Sequence, residues 1–162
     1  MGGHGAWHVG IHHLDLFATL GTSAGGESFY SYGGASRSSA PMAWARSHSD
    51  TLNFIDNLSQ RSVYISHGDQ DQSVPMAEGQ NLYDEVSQVC DDVVYHEESR
   101  ATHWWDGDAS PGVDCVDWPR LFEFMQTRDF NTEPLYSSRC RLCRAAHDFT
   151  SNHGQTTPQG RE

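Results

Sequence analysis

The sequence predicts a parallel α/β fold, because runs of strand character alternate with stretches of helical periodicity along most of the chain. Three runs of β-type residues, at positions 16–20, 63–66 and 92–97, have the length of buried strands. Helical stretches separate these runs, as right-handed crossovers between parallel strands require. Three strands are few for a sheet that helices cover on both faces. We therefore expect about three parallel strands with flanking helices that belong to a larger sheet.

Helical periodicity predicts the helices between these strands. The first covers positions 2–14, and its small residues near the start allow a close approach to a strand. Ser49-Asp50 is predicted to cap a second helix that runs through residue 58. Pro75 begins a third helix, and Asp117-Trp118-Pro119 begins the last.

The remaining segments show no such periodicity. Positions 25–41 are rich in Gly, Ser and Tyr, which is typical of an irregular segment. The periodicity ends near residue 128. We therefore expect a partial domain over residues 1–128 and a poorly ordered tail over residues 129–162.

The charge balance excludes several classes of partner. The 162 residues include 22 acidic and 10 basic ones, which gives a net charge of −12. This charge repels nucleic acid, and no cluster of Lys or Arg offers a binding patch. No stretch approaches the roughly 18 consecutive apolar residues of a membrane helix, and no signal peptide is visible. The sequence as written predicts a cytoplasmic protein without a nucleic-acid or membrane partner, while the compartment of a longer parent stays open.

The cysteines give a weak signal for metal binding. Their spacing fits no small disulfide scaffold, and a domain of this length needs none. Cys140 and Cys143 are followed by His147 and His153, which suggests a zinc site. Zinc fingers, however, separate their Cys and His pairs by about 12 residues. We favour a polar tail without a metal.

A row of histidines marks the first predicted helix. His4, His8 and His12 recur every four residues and therefore line one helix face. Such a row can bind a metal when a carboxylate cooperates, but the sequence contains no H-E-x-x-H motif. We expect a solvated or substrate-facing helix face, and neither a metal nor another cofactor.

Two polar loops follow consecutive predicted strands. The first reads H-G-D-Q-D-Q-S-V-P at positions 67–75, and the second reads T-H-W-W at positions 102–105. An acid after one strand and a His after the next form the last two members of the order Ser…Asp…His. These loops therefore predict the acid and the base of a catalytic triad.

Either Asp69 or Asp71 could be the acid that orients the imidazole of His103. We favour Asp71, because it lies at the turn that leads into Val74 and Pro75. His103 would be the general base and acid, on a loop that lets it serve both roles. The two Asp residues could instead only cap the turn, and His103 taken alone would be interpreted as a surface His between packing tryptophans. The pair is what favours catalysis.

These motifs resemble those of the prolyl oligopeptidase family of α/β-hydrolases. M-G-G-H-G-A-W-H at positions 1–8 resembles the end of that family's elbow G-x-S-M-G-G-x-G-A, and positions 67–75 resemble its acid loop H-G-x-x-D-x-x-V-P. Positions 102–105 are similar to its G-H-x-x loop, with Thr102 where Gly is usual. The resemblance covers residues 1 to about 128. It implies the C-terminal portion of an α/β-hydrolase fold and a serine hydrolase that acts on a peptide or ester, with Asp71 and His103 as acid and base.

The resemblance also implies that the nucleophile is missing. The matching Ser would stand immediately before Met1, so this chain lacks it and is expected to be inactive as given. Met1 would occupy the position whose N–H forms part of the oxyanion hole. A start assigned at the Met of the elbow, or a gene interrupted there, would explain the departure.

A second candidate nucleophile is Ser23, in the literal G-x-S-x-G at positions 21–25. It follows an apolar run, and the candidate acid and base come after it in the correct order. The residues after it, positions 26–34, make a poor helix, whereas an elbow needs an immediate one. We therefore keep it as the alternative and expect a loop there instead.

Three alternatives to a truncated hydrolase remain open from sequence: a small autonomous hydrolase that uses Ser23, a non-enzymatic fragment or interaction piece, and a His/Cys metal-binding protein. For the favoured hypothesis, the partner of the intact parent is a peptide or ester substrate. The strand at positions 16–20 would leave one sheet edge open, so we also expect self-association through that edge.

Overall fold

The fold is built on one parallel sheet. The computed structural model describes residues 2–28, 31, 47–105 and 115–129. Its strands are β1 (Thr19–Ser23), β2 (Ser62–Gly68) and β3 (Asp92–Glu98). They lie in the order β1-β2-β3, and both pairs are parallel. This sheet confirms the predicted fold class.

The three strands start level with one another. Thr19 pairs with Ser62, and Ser62 pairs with Asp92. Their carboxyl ends therefore lie at one edge of the sheet, which brings together the loops that follow β2 and β3. β2 is the central strand and is buried along almost its whole length, as a strand with a neighbour on each side should be.

In the described part of the chain, three α-helices and two 3₁₀ helices flank the sheet. The α-helices are α1 (Gly2–His12), α2 (Met76–Ser87) and α3 (Pro119–Gln126). The 3₁₀ helices cover Ser47–Ser49 and Thr51–Gln60. In the part of the chain that the structure describes, no helix is long and apolar enough to cross a membrane.

Alternating side chains of β2 divide the core into two layers. Val63 and Ile65 face the larger cluster, and Tyr64 faces the smaller one, as the two-residue period of a strand dictates. The other fully enclosed members of the larger cluster come from α1, the longer 3₁₀ helix and α2: Trp7, Ile11, Leu58, Leu82 and Val86. The smaller cluster consists of Tyr64 with Leu121 and Phe124 of α3. The sheet is therefore covered on both faces.

The predicted boundaries of the first strand are wrong. Positions 14–16 form a turn, which the Leu16 N–H closes by donating to the His13 carbonyl at 3.0 Å. The Leu16 side chain is 64% exposed, so its apolar character reflects no buried strand. β1 begins at Thr19 instead, where pairing with β2 begins, and G-T-S of the G-x-S-x-G motif lies inside the strand. The first helix correspondingly ends at His12 rather than at position 14.

The second helix has Asp50 at its N-cap as predicted, but it differs in its capping contact and in its type. The Asp50 side chain makes no capping hydrogen bond, and Thr51–Gln60 is a 3₁₀ helix rather than an α-helix. The Asn57 side chain donates to the carbonyl of Ile11 at 3.2 Å, at the end of α1. Asn and Thr side chains compete with the backbone for hydrogen bonds, which lowers the α-helical propensity of this segment. The remaining predicted strands and helices agree with the structure to within about two residues.

Candidate active site

The loops after β2 and β3 meet at the carboxyl edge of the sheet because Gly68 lets them approach. A Cβ atom on Gly68 would lie only 2.4 Å from the Ala101 carbonyl oxygen and 2.7 Å from that of Thr102. Two backbone hydrogen bonds then join the loops: the Asp69 N–H donates to Glu98 at 3.0 Å, and the Gln70 N–H donates to Ala101 at 2.9 Å. The position of the second loop is therefore fixed by the first.

The carboxylate of Asp71 is held by its own loop. Its Oδ1 accepts hydrogen bonds from the Ser73 N–H at 2.7 Å and the Val74 N–H at 3.0 Å. This local pattern, in which an Asp side chain accepts from the backbone two and three residues on, is a common turn of Asp residues. The side chain is fully inaccessible to solvent. Oδ1 is therefore occupied, and Oδ2 is left for a partner outside the loop.

That partner is His103. Its Nδ1 lies 2.7 Å from Asp71 Oδ2, and its side chain is 23% exposed. A carboxylate can only accept, so His103 donates Nδ1–H and its Nε2 is the nitrogen on the open side of the ring. This is the tautomer in which an imidazole can remove a proton from a nucleophile.

The hydrogen bonds decide the charge of Asp71. Burial by itself raises the pKa of this carboxyl, but the hydrogen bonds from Val74, His103 and Ser73 outweigh burial and hold the pKa below its ordinary value. Attraction to the His103 imidazole acts in the same direction. The site is therefore built to keep an ionised carboxylate away from water.

The structure distinguishes Asp71 from Asp69, the other acid that the sequence allowed. Asp69 is exposed, and its backbone rather than its carboxylate joins the loops. The two loops therefore bring Asp71, rather than Asp69, into contact with His103.

Ser23, the alternative nucleophile, lies at the last position of β1. Its Oγ is buried and makes no hydrogen bond. The residue with left-handed backbone is the next one, Ala24, with φ 46°. No helix begins at positions 24–28. Ser23 therefore lacks both the base contact and the strand–turn–helix geometry of a nucleophile elbow.

The histidines of α1 are half-buried and therefore do not form a solvated face, while the other prediction, a substrate-facing helix face, stays a prediction. The His4 Nδ1 atom lies 3.1 Å from a backbone carbonyl oxygen. The His12 ring packs against those of Phe54 and His8, with centroids 4.4 and 4.7 Å apart. Burial lowers the pKa of His8, and the neighbouring histidines add to this effect. Of the three, His12 packs α1 against the longer 3₁₀ helix through Phe54.

Among residues 2–28, 31, 47–105 and 115–129, no group of three or more His, Cys, Asp or Glu side chains could hold a metal ion. Cys140, Cys143, His147 and His153 lie outside the described residues, as does Met1, the predicted oxyanion-hole residue.

Two buried polar residues near the site were missed by sequence analysis. The buried imidazole of His67 contacts the Asp71 loop, with Nε2 3.0 Å from the Val74 carbonyl oxygen. Glu78, in the first turn of α2, accepts hydrogen bonds from the Glu27 N–H at 2.9 Å and from the Ser31 hydroxyl. The H-G-D motif could have indicated His67, but nothing in the sequence links Glu78 to the segment that follows β1.

Comparisons with solved structures show which fold surrounds this site. No protein-family model matches the sequence, and no curated protein matches it either. A thermostable esterase matches 78% of the chain with a TM-score of 0.51 and 15% identity, over 28% of its own length. A Bacteroides ovatus protein assigned as a dipeptidyl aminopeptidase IV matches 78% with a TM-score of 0.57 and 12% identity, over 18% of its length. A ferulic acid esterase matches 78% with a TM-score of 0.53 and 14% identity, over 47% of its length.

These neighbours are α/β-hydrolases, and the chain has part of that fold. It spans less than half the length of each of the three structures. Identities of 12–15% establish the shared fold and leave the reaction to be argued from the site.

Proposed function

We propose that this chain carries the acid and the base of a Ser-Asp-His triad, in a serine hydrolase that cleaves an ester or peptide bond. The observation that supports it most directly is the 2.7 Å hydrogen bond between the buried Asp71 carboxylate and the His103 imidazole. The lowered pKa of Asp71 supports the same assignment, because a triad acid must stay ionised while it orients the imidazole.

In the proposed reaction, His103 Nε2 takes the proton of the attacking Ser and later returns it to the leaving group. Asp71 holds Nδ1–H and stabilises the imidazolium that forms between these steps. The Ser attacks the carbonyl carbon, and water then hydrolyses the acyl-enzyme. Asp71 and His103 supply no nucleophile themselves, so the Ser must come from another segment.

We propose that this Ser belongs immediately before Met1, and so two residues before the start of α1 at Gly2, as the resemblance to the prolyl oligopeptidase family implies. The first turn of α1 packs tightly against the carboxyl end of β1: a Cβ atom on Gly3 would lie 2.2 Å from the Ser23 carbonyl oxygen and 2.7 Å from Gly25 Cα. The start of α1 is therefore near the same sheet edge as the two loops. Turnover then requires a Ser supplied ahead of Met1.

The test is to supply the nucleophile. A version of the chain extended by Gly-Xaa-Ser before Met1 should react with a fluorophosphonate probe at the new Ser and hydrolyse activated esters, whereas the unextended chain should do neither. His103→Ala and Asp71→Asn should each lower turnover by about 10⁴-fold. Asp69→Asn, a change at the exposed neighbouring acid, is the matched control and should leave turnover nearly unchanged.

The same experiment separates the alternatives. Labelling of Ser23 in the unextended chain, lost in His103→Ala, would replace this proposal with a small autonomous hydrolase. An extended chain that folds but shows no activity above the Ser-free chain would favour a non-enzymatic fragment.

We also propose that the chain associates with itself through β1. Among the described residues, β1 pairs with β2 alone, so its other edge presents unpaired backbone groups. Leu16 and Phe17, just before β1, are exposed apolar residues. The net charge of −12 opposes association, but salt screens this repulsion beyond about 8 Å, whereas strand pairing acts at contact. Light scattering at rising concentration should show dimers or larger species, and a monomer throughout would contradict the proposal.

A further inference from the structure

The buried imidazole of His67 contacts the loop that carries Asp71. His67 is close to the end of β2, and its side chain is fully inaccessible to solvent. Its Nε2 is 3.0 Å from the Val74 carbonyl oxygen and 3.4 Å from Asp71 Oδ2. Because a carbonyl oxygen can only accept, Nε2 carries a proton and donates it to Val74. The central strand of the sheet is thus joined directly to the acid loop.

Val74 connects this histidine to the carboxylate. The Val74 N–H donates to Asp71 Oδ1 at 3.0 Å, while the Val74 carbonyl accepts from His67. On the other carboxylate oxygen, Oδ2, His103 makes a hydrogen bond at 2.7 Å and His67 a longer contact at 3.4 Å. His67 therefore contacts both the carboxylate and a residue that orients it.

The Nδ1 side of the ring makes no comparable hydrogen bond. His67 Nδ1 is buried and makes no hydrogen bond. It faces Gly79 of α2, where a Cβ atom would lie 2.7 Å away. A buried nitrogen without a partner is destabilising, so a hydrocarbon ring would fill this space at a lower energetic cost. What the imidazole adds is its Nε2–H.

We propose that His67 is a positioning residue that holds the Asp71 loop in the orientation that pairs with His103. The inference rests on the proposed function of Asp71 and His103, since it assigns His67 a role in that pair. His67 itself touches neither a nucleophile nor a substrate in this assignment.

The test follows the proton between His103 Nδ1 and Asp71 by NMR on the full chain. Such a proton gives a downfield resonance only while the hydrogen bond protects it from exchange with water. We expect the resonance in the wild type and its loss in Asp71→Asn. His67→Phe fills the same space without a donor and should also lose it. His67→Gln keeps a donor and should retain it.

The outcomes separate the two proposals. Retention of the resonance in Asp71→Asn would contradict the proposed function. Loss in Asp71→Asn with retention in His67→Phe would overturn only the role of His67. Loss in both His67→Phe and His67→Gln would overturn the hydrogen-bonding role and leave only packing.

A further variant covers the case in which His67→Phe does not fold. Gly79→Ala presses on the opposite side of the imidazole and substitutes no residue of the acid loop. It should weaken the His103 resonance, whereas Gly5→Ala, at an open position of α1, should not. Equal resonances in the two glycine variants would contradict the role of His67.

Discussion

The loop after β2 and the end of β1 both carry a residue that the sequence suggested for catalysis. The two residues, Asp71 and Ser23, differ in their hydrogen bonding. Both carboxylate oxygens of Asp71 accept hydrogen bonds. The donors are two backbone N–H groups of its own loop and the imidazole of His103. At Ser23, the hydroxyl is buried without a partner. A short motif can place a reactive residue type at the correct edge of a sheet. Hydrogen bonds from separate segments to the same side chain distinguish a candidate active site from a chance match to a short motif.

The largest expected effect is that of removing the carboxylate. Asp71→Ala leaves two backbone N–H groups and the His103 imidazole without their acceptor. We expect a loss of about 2–3 kcal/mol in the free energy of unfolding, the usual range for breaking a buried hydrogen-bond network. Urea denaturation measures it. Asp69→Ala, at the exposed acid, should change stability little, and equal losses in the two variants would contradict the comparison.

A somewhat smaller effect is expected from separating the two loops. In Gly68→Ala the new methyl group would meet the carbonyl oxygens of Ala101 and Thr102, so the backbone must shift. We expect a loss of about 2 kcal/mol, within the range for overpacking. Gly5→Ala is the control, because its Cβ would meet nothing within 4 Å, and it should stabilise α1 by about 1 kcal/mol. Thermal melts of both variants check these opposite signs.

The acid loop should also show a dependence on pH. The folded-state pKa of Asp71 is lowered, so its ionised form stabilises the folded chain above the ordinary carboxyl pKa of about 3.9, and this stability is lost as pH falls through the folded-state pKa. The stability difference between the wild type and Asp71→Asn should therefore be constant near neutrality and shrink below about pH 4. Urea unfolding at several pH values measures it, with Asp69→Asn as the control. A difference that grows on acidification would have the wrong sign.

The smallest expected effect is at Ser23. Ser23→Ala removes a buried hydroxyl that has no partner, so we expect a change within about 0.5 kcal/mol, or slight stabilisation. A loss above about 1 kcal/mol in the free energy of unfolding would show that the hydroxyl has a hydrogen-bond partner, as the carboxylate of Asp71 does.

The parts of the fold that sequence predicted are those with short-range signals. The runs around Val63 and Val93 are β-rich and flanked by helical stretches, and they became β2 and β3. Because parallel strands end at one edge, the loops that carry Asp71 and His103 had to meet there. The local turn that orients Asp71 is also predictable from the sequence, because its carboxylate accepts from backbone N–H groups only two and three residues further along the chain.

The parts that it did not predict depend on long-range contacts. Leu16 and Phe17 look like strand residues, but pairing with β2 begins only at Thr19. Glu78 bonds to a segment about 50 residues away in sequence, and no periodicity encodes that contact. His67 looks like one more polar residue of a loop motif, and only the packing of Gly79 against its ring shows that it is enclosed.

The most direct test of the central claim is the tautomer of the His103 ring, measured by long-range ¹H–¹⁵N NMR at a pH well above the ordinary imidazole pKa of about 6.5. If Asp71 and His103 form a catalytic pair, Nδ1 carries the proton and Nε2 has the free lone pair. The Asp69→Asn variant should show the same pattern, and Asp71→Asn should lose it. A proton on Nε2 in the wild type, or a tautomer that is unchanged in Asp71→Asn, would contradict the account.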